Sequence, residues 1–135
     1  MRTAAFALVA LALALTLAAC SRAEDEKKLI ADMATFQEAI ETALQLSPDE
    51  AGIKKAEALV AAQSGPLHAR YTKVDVSKRG GVFPTRCAGN GQAIAIGEGY
   101  VKNALVKRGA DEKLRAELLA RTGKLKATLE TICTG

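Results

Sequence analysis

The chain has 135 residues, a formal net charge of +4, 49% hydrophobic residues, 4% aromatic residues, no Trp, one His and three Cys. That length suits one domain and not two, and so few positioned titratable groups leave little with which to build acid–base, haem or metal chemistry. The charge is uneven: residues 21–66 carry nine acids and five bases, residues 67–135 six acids and thirteen bases, so the basic half is either a solvated face or a surface for an acidic partner or lipid phosphates.

Arg2 precedes an apolar run from Ala4 to Leu17, and eight Ala and five Leu fill residues 1–19. A membrane span needs about 20 apolar residues, and Arg22, Glu24, Asp25 and Glu26 cut this run short. The segment has the proportions of a secretory signal. Its end, Leu17-Ala18-Ala19-Cys20, resembles the lipobox of bacterial lipoprotein precursors. That resemblance implies cleavage before Cys20, a diacylglycerol thioether on its sulfur, and acyl chains that anchor the product without spanning. It covers residues 1–21 and implies nothing about activity. The alternative is an ordinary secretory signal that leaves Cys20 as a thiol. In this precursor class an Asp after the lipidated Cys retains the product in the inner membrane; Ser21 stands there, so the expectation is an outer-membrane lipoprotein facing the periplasm. The chain then divides into a signal peptide, 1–19, and a helical domain, 20–135, of 116 residues.

Within that domain Leu29, Met33, Phe36, Ile40 and Leu44 recur at helical spacing over residues 24–46, the stripe of an amphipathic helix. Ser47-Pro48-Asp49-Glu50 reads as a cap, a proline at the first helical position and a Glu three residues after the Ser. A second helix is predicted from Pro48 to about Gln63, packed through Ile53, Ala56, Leu59 and Val60. Ser64-Gly65-Pro66 ends it. Residues 64–86 read as a long loop, in which Val74, Val76 and Val82 allow at most a short extended piece, and which carries Arg70, Lys73, Lys78, Arg79 and Arg86.

A third helix is predicted from about Ala88 to Arg108 through Ala93, Ile96 or Gly97, Tyr100, Ala104 and Leu105. Its glycines weaken it by up to about 1 kcal/mol each and are read as close packing, since they match neither a phosphate loop nor a dinucleotide fingerprint. Gly109-Ala110 makes a turn, and Asp111-Glu112 opens a fourth helix with Leu114, Leu118, Leu125, Leu129 and Ile132 on one face. An exported domain lies in an oxidising space, where Cys87 and Cys133 have one possible pairing. Residue 110 is midway between them, so an antiparallel hairpin folded there sets the two side by side.

His68 reads as a surface residue, and Met33, a possible axial haem ligand with it, fits the core stripe equally well. No Cys-x-x-Cys-His or Glu-x-x-His occurs. Glu38 and Glu41 share a helix face, a spacing ordinary on solvated helices. The expectation is therefore an all-α, four-helix bundle of two antiparallel hairpins with a long loop between helices 2 and 3, lipidated at Cys20 and bridged Cys87 to Cys133. It is expected to be no enzyme, to hold no cofactor or metal and to bind no nucleic acid. The function expected is that of an adaptor or assembly factor gripping an envelope protein through interhelical grooves or through Arg70, Lys73, Arg79 and Arg86. At the level of architecture such a chain is similar to the pilot lipoproteins that escort secretion-system pores. The alternative is an inhibitor or immunity-type lipoprotein whose loop plugs a toxin or lytic enzyme.

Overall fold

The computed structural model describes residues 3–75, 77 and 79–135, with side chains described from Arg22 onward. The expected signal 1–19, Cys20, Val76 and Lys78 lie outside the residues described in full. Four helices carry the fold: α1 Thr3–Leu46, α2 Glu50–Tyr71, α3 Val82–Lys107 and α4 Glu112–Glu130, with a closing 3-10 turn at Thr131–Cys133. Among the described residues there is no strand, and no helix is long and apolar enough to cross a membrane.

The predicted stripe of α1 is the centre of the core, because Leu29, Met33, Phe36, Ile40 and Leu44 are all buried. Helix α1 packs on both α2 and α3, and α4 packs on the same two from the other side. Side chains give the directions. Gln37 meets Asn90 and Leu44 lies against Gly97, so α1 and α3 run parallel. Glu57 meets Arg121 and His68 meets Ile132, so α2 and α4 do as well. The bundle therefore has an entry end, with the start of the packed part of α1, the connection from α2 to α3 and the last residues, and a turn end with two tight reversals. At the turn end Arg108 and Asp49 lie 3.7 Å apart and join the reversals.

The first reversal is capped one step later than the sequence predicts. Asp49, not Ser47, is the cap, its carboxylate accepting from the Ala51 and Gly52 amides, while Ser47 N still donates to Ala43 O and prolongs α1. An acidic cap suits the positive end of the helix dipole. The backbones come so close that a Cβ on Gly52 would lie 1.7 Å from the Ser47 carbonyl oxygen.

Both predicted limits of the long loop move inward. Helix α2 continues through Ser64-Gly65-Pro66 to Tyr71. An interior proline costs about 3 kcal/mol through a lost hydrogen bond and ring crowding. Here Pro66 and Ala62, whose carbonyl loses the bond, are both exposed, so water reaches the freed oxygen. Leu67, Tyr71 and Val74 beyond it are buried, each apolar side chain contributing about 1.5–3 kcal/mol, and that packing outweighs the break. Helix α3 starts at Val82 and admits Pro84 in its first turn, where amides have no intrahelical acceptor. Phe83 is thereby buried edge-on to Tyr71, ring centres 6.0 Å apart. The connection is residues 72–81, still the longest link in the bundle, crossing diagonally from α2 to α3.

Helix α3 is rotated slightly: Ala93, Leu105 and, of the Ile96-or-Gly97 alternative, Gly97 are buried as predicted, Tyr100 and Ala104 only in part. Asn90, Ala93, Ile94, Gly97, Val101 and Leu105 are buried, whereas Ile96 is 46% exposed and Tyr100 and Ala104 are half-buried. Gly97 sets this rotation, because a Cβ there would lie 2.3 Å from Leu44 Cδ1. In α4 the stripe holds from Leu118 to Ile132, with Thr122 buried between Leu118 and Leu125 and its hydroxyl donating to Leu119 O at 2.8 Å. Leu114 is 40% exposed.

Cys87 and Cys133 are bridged, with Cα atoms 6.0 Å apart. Closing a loop of 46 residues removes unfolded-state entropy equivalent to at most about 4 kcal/mol. Cys87→Ser/Cys133→Ser should lower the unfolding free energy from urea titration by up to that amount, followed by far-UV circular dichroism, and a reductant should move the wild-type midpoint and leave the variant's unchanged. Gly97→Ala should cost about 1–3 kcal/mol by overpacking against Leu44, whereas Gly65→Ala, with open space around it, should not destabilise.

Candidate functional site

The four cations predicted to form one binding loop are dispersed. Arg70 lies in the last turn of α2 and donates to Asp32 at 2.8 Å. Lys73 follows, exposed, with no ion pair among the described residues. Arg79 is built into the connection itself: it donates to the carbonyls of Val74, Thr72 and Gly135 and stacks 5.1 Å over the Tyr71 ring. Arg86 lies on α3, donating to Gln37 Oε1 at 3.3 Å, and its Nε is buried without a partner. Arg70, Arg79 and Arg86 thus hold helices and connection in place, and Lys73 alone of the four is unengaged.

Arg70 and Lys73 do share a cleft. It is an open notch of about 750 Å³ at the entry end, between the first exposed turns of α1 and the shoulder formed by the end of α2 and Val74-Asp75. Arg22, Asp25 and Glu26 line it from the α1 side over a floor of Leu29 and Val74.

Arg86 belongs to a second, shallower groove of about 340 Å³ between α1 and α3, rimmed by Glu38, Glu41, Gln92 and Ile96. Beneath it runs a polar network that sequence reasoning missed. Gln37 Nε2 donates to Arg86 O at 2.7 Å and to Asn90 Oδ1 at 2.6 Å, and Asn90 Nδ2 donates to Leu129 O at 3.3 Å. Three helices are cross-linked by two buried amides, which must be paired or cost about 1–3 kcal/mol each. The one sequence signal was Asn90 standing at a core position of the α3 pattern.

The remaining candidates take structural places. Met33 is fully buried in the core stripe. His68 is half-buried on α2, and its Nδ1 donates to Ile132 O at 3.1 Å. Among the described residues no three His, Cys, Asp or Glu gather as metal ligands. Of the five large hydrophobic side chains exposed among the described residues, four, Leu46, Ile96, Val106 and Leu114, lie in the half of the bundle nearer the turn end; Val82 is at the entry end.

No family model matches the chain, and no curated protein or solved structure is significantly similar to it.

One pair has a perturbed acidity. Arg121 Nε and Nη2 each donate to a Glu57 carboxylate oxygen at 2.8 Å, with Glu50 3.6 Å away. Hydrogen bonding from Arg121 holds the Glu57 carboxyl below its ordinary value of 4.5. A lowered folded-state pKa gives stability that is complete above 4.5 and is lost as pH falls through the lower folded value. Solvent reaches both side chains, so the effect is under about 1 kcal/mol. Arg121→Gln should therefore be less stable than wild type near neutral pH by that much, with the gap in urea midpoint closing near pH 3.

Proposed function

We propose that this chain is a membrane-tethered lipoprotein, lipidated at Cys20 and facing the periplasm, that binds another envelope protein as an adaptor or assembly factor. The observation that carries the reading is the order of features at the N-terminus: an apolar run, Leu17-Ala18-Ala19-Cys20, then from Arg22 the exposed turns of α1 that lead into the core at Leu29. Acyl chains on one cysteine supply about 0.8 kcal/mol per buried methylene, enough in pairs or threes for stable anchoring.

The binding half of the proposal rests on exposed apolar surface. Single exposed hydrophobics are ordinary, but Leu46 at 75%, Val106 at 59% and Leu114 at 40% exposure lie in the turn-end half, away from Cys20. Val106 and Leu114 are four residues either side of Ala110, so the hairpin sets them level with each other. A partner held away from the lipid surface would meet this half first.

Crosslinking in intact cells with tagged full-length protein, followed by capture and mass spectrometry, tests both halves. The expected result is one envelope partner recovered with wild type and lost or displaced with Cys20→Ala. Leu46→Glu/Val106→Glu should also lose it while keeping wild-type helicity. Retention of the partner by that variant sinks the turn-end surface, and recovery of a lytic enzyme or toxin replaces the adaptor reading with the inhibitor one.

A further inference from the structure

The entry-end notch is lined by Arg22, Asp25 and Glu26 on the α1 wall and by Arg70, Lys73 and Asp75 on the other, over the apolar floor of Leu29 and Val74; Arg70 already pairs with Asp32 and Asp75 accepts from Ser77. At about 750 Å³ it is in the size range of small-molecule sites. A purely anionic ligand would meet the acids and a purely cationic one the bases. A ligand with a phosphate and an ammonium a few ångströms apart matches both signs of charge.

Position narrows the source. Side chains from Arg22 to Lys28 are exposed or half-buried, and Leu29 is the first to enter the core, so α1 projects as a stem about 10 Å long at 1.5 Å per residue. Cys20 precedes Arg22 by two residues, at most about 7 Å even fully extended. The headgroup layer on each side of a bilayer is about 5–8 Å thick. A chain anchored at Cys20 therefore holds the notch at or just above headgroup depth, with its wall of Arg70, Lys73 and Asp75 facing the stem.

We propose that this notch receives the zwitterionic headgroup of a phosphoethanolamine lipid in the membrane to which the chain is anchored, the phosphate toward Lys73 and the ammonium toward Asp25. The assignment rests on lipidation of Cys20. Bound in this way, the headgroup fixes the tilt of the bundle on its stem and directs the turn end away from the membrane.

Full-length protein reconstituted in nanodiscs tests it by hydrogen exchange. Discs containing phosphatidylethanolamine should protect residues 22–29 and 70–75 relative to discs of phosphatidylglycerol alone. Lys73→Glu should abolish that difference, and the same reversal at exposed Lys102 on α3 should leave it intact. Soluble glycerophosphoethanolamine added in excess to phosphatidylglycerol discs should protect the same residues, and no protection from it overturns recognition of the headgroup. Equal exchange in both kinds of disc, or protection that Lys73→Glu leaves in place, overturns the site. Intact mass separates the two premises: an unacylated chain overturns the anchor and this assignment together, whereas an acylated chain with equal exchange overturns the headgroup site alone.

Discussion

The bond between Cys87 and Cys133 joins the first turns of α3 to the last residues of the chain, and the whole entry end leans on that junction. It places Ile132 in the core, where its carbonyl accepts from His68 on α2. It holds Leu129 O within reach of Asn90, and Asn90 in turn pairs with Gln37 of α1. The final residue accepts from Arg79, whose other donors tie down the connection to α3. Each of these contacts links segments far apart in sequence, whose loop-closure cost must be met before the contact forms. The covalent link meets much of that cost for Asn90 with Leu129 and for Arg79 with Gly135, shortens the path from His68 to Ile132, and leaves the closure of Gln37 on Asn90 to the packing of α1 on α3.

The diagonal path of residues 72–81 follows from the same junction. With α3 and α4 closed into one hairpin and α1 and α2 into another, the hairpins pack with like directions side by side, α1 on α3 and α2 on α4. Close approach on the first of these seams needs a residue without a side chain at Gly97, opposite Leu44. The second seam is polar at its edge, where Arg121 grips Glu57. The acidic first half and basic second half of the sequence thus meet within the molecule, along α2 and α4, so part of the charge asymmetry is consumed by the fold itself.

Much of this was legible in the residue pattern. The apolar spacing of α1, the first half of α2 and most of α4 named the buried side chains, and the position of Gly109-Ala110 midway between two cysteines located the bridge. The errors have a common origin. Local rules end a helix at Ser64-Gly65-Pro66 and begin one after Pro84, and both were overruled by aromatic and aliphatic burial at Tyr71 and Phe83 that no local window contains. The pattern of α3 left Ile96 and Gly97 open, and close approach to Leu44 selected the glycine. The cations of the supposed binding loop looked alike in sequence, and only the tertiary structure distinguishes Arg79, with three carbonyls to serve, from Lys73, with none.

The two ends of the bundle differ in a way that bears on function. At the entry end polar groups are mostly committed: Arg70, His68 and Arg79 all have partners, and what stays open is a notch of mixed charge. At the turn end two short reversals expose apolar side chains that no described residue covers. A short stem confines the entry end to the neighbourhood of residue 20, wherever that residue is held, and leaves the turn end free to meet other molecules. A bundle about 30 Å long, the length of some 20 helical residues, is therefore enough to hold the entry end and the turn end apart. The rigidity needed to keep them apart comes from a core that runs unbroken from Leu29 at one end to Leu105 at the other.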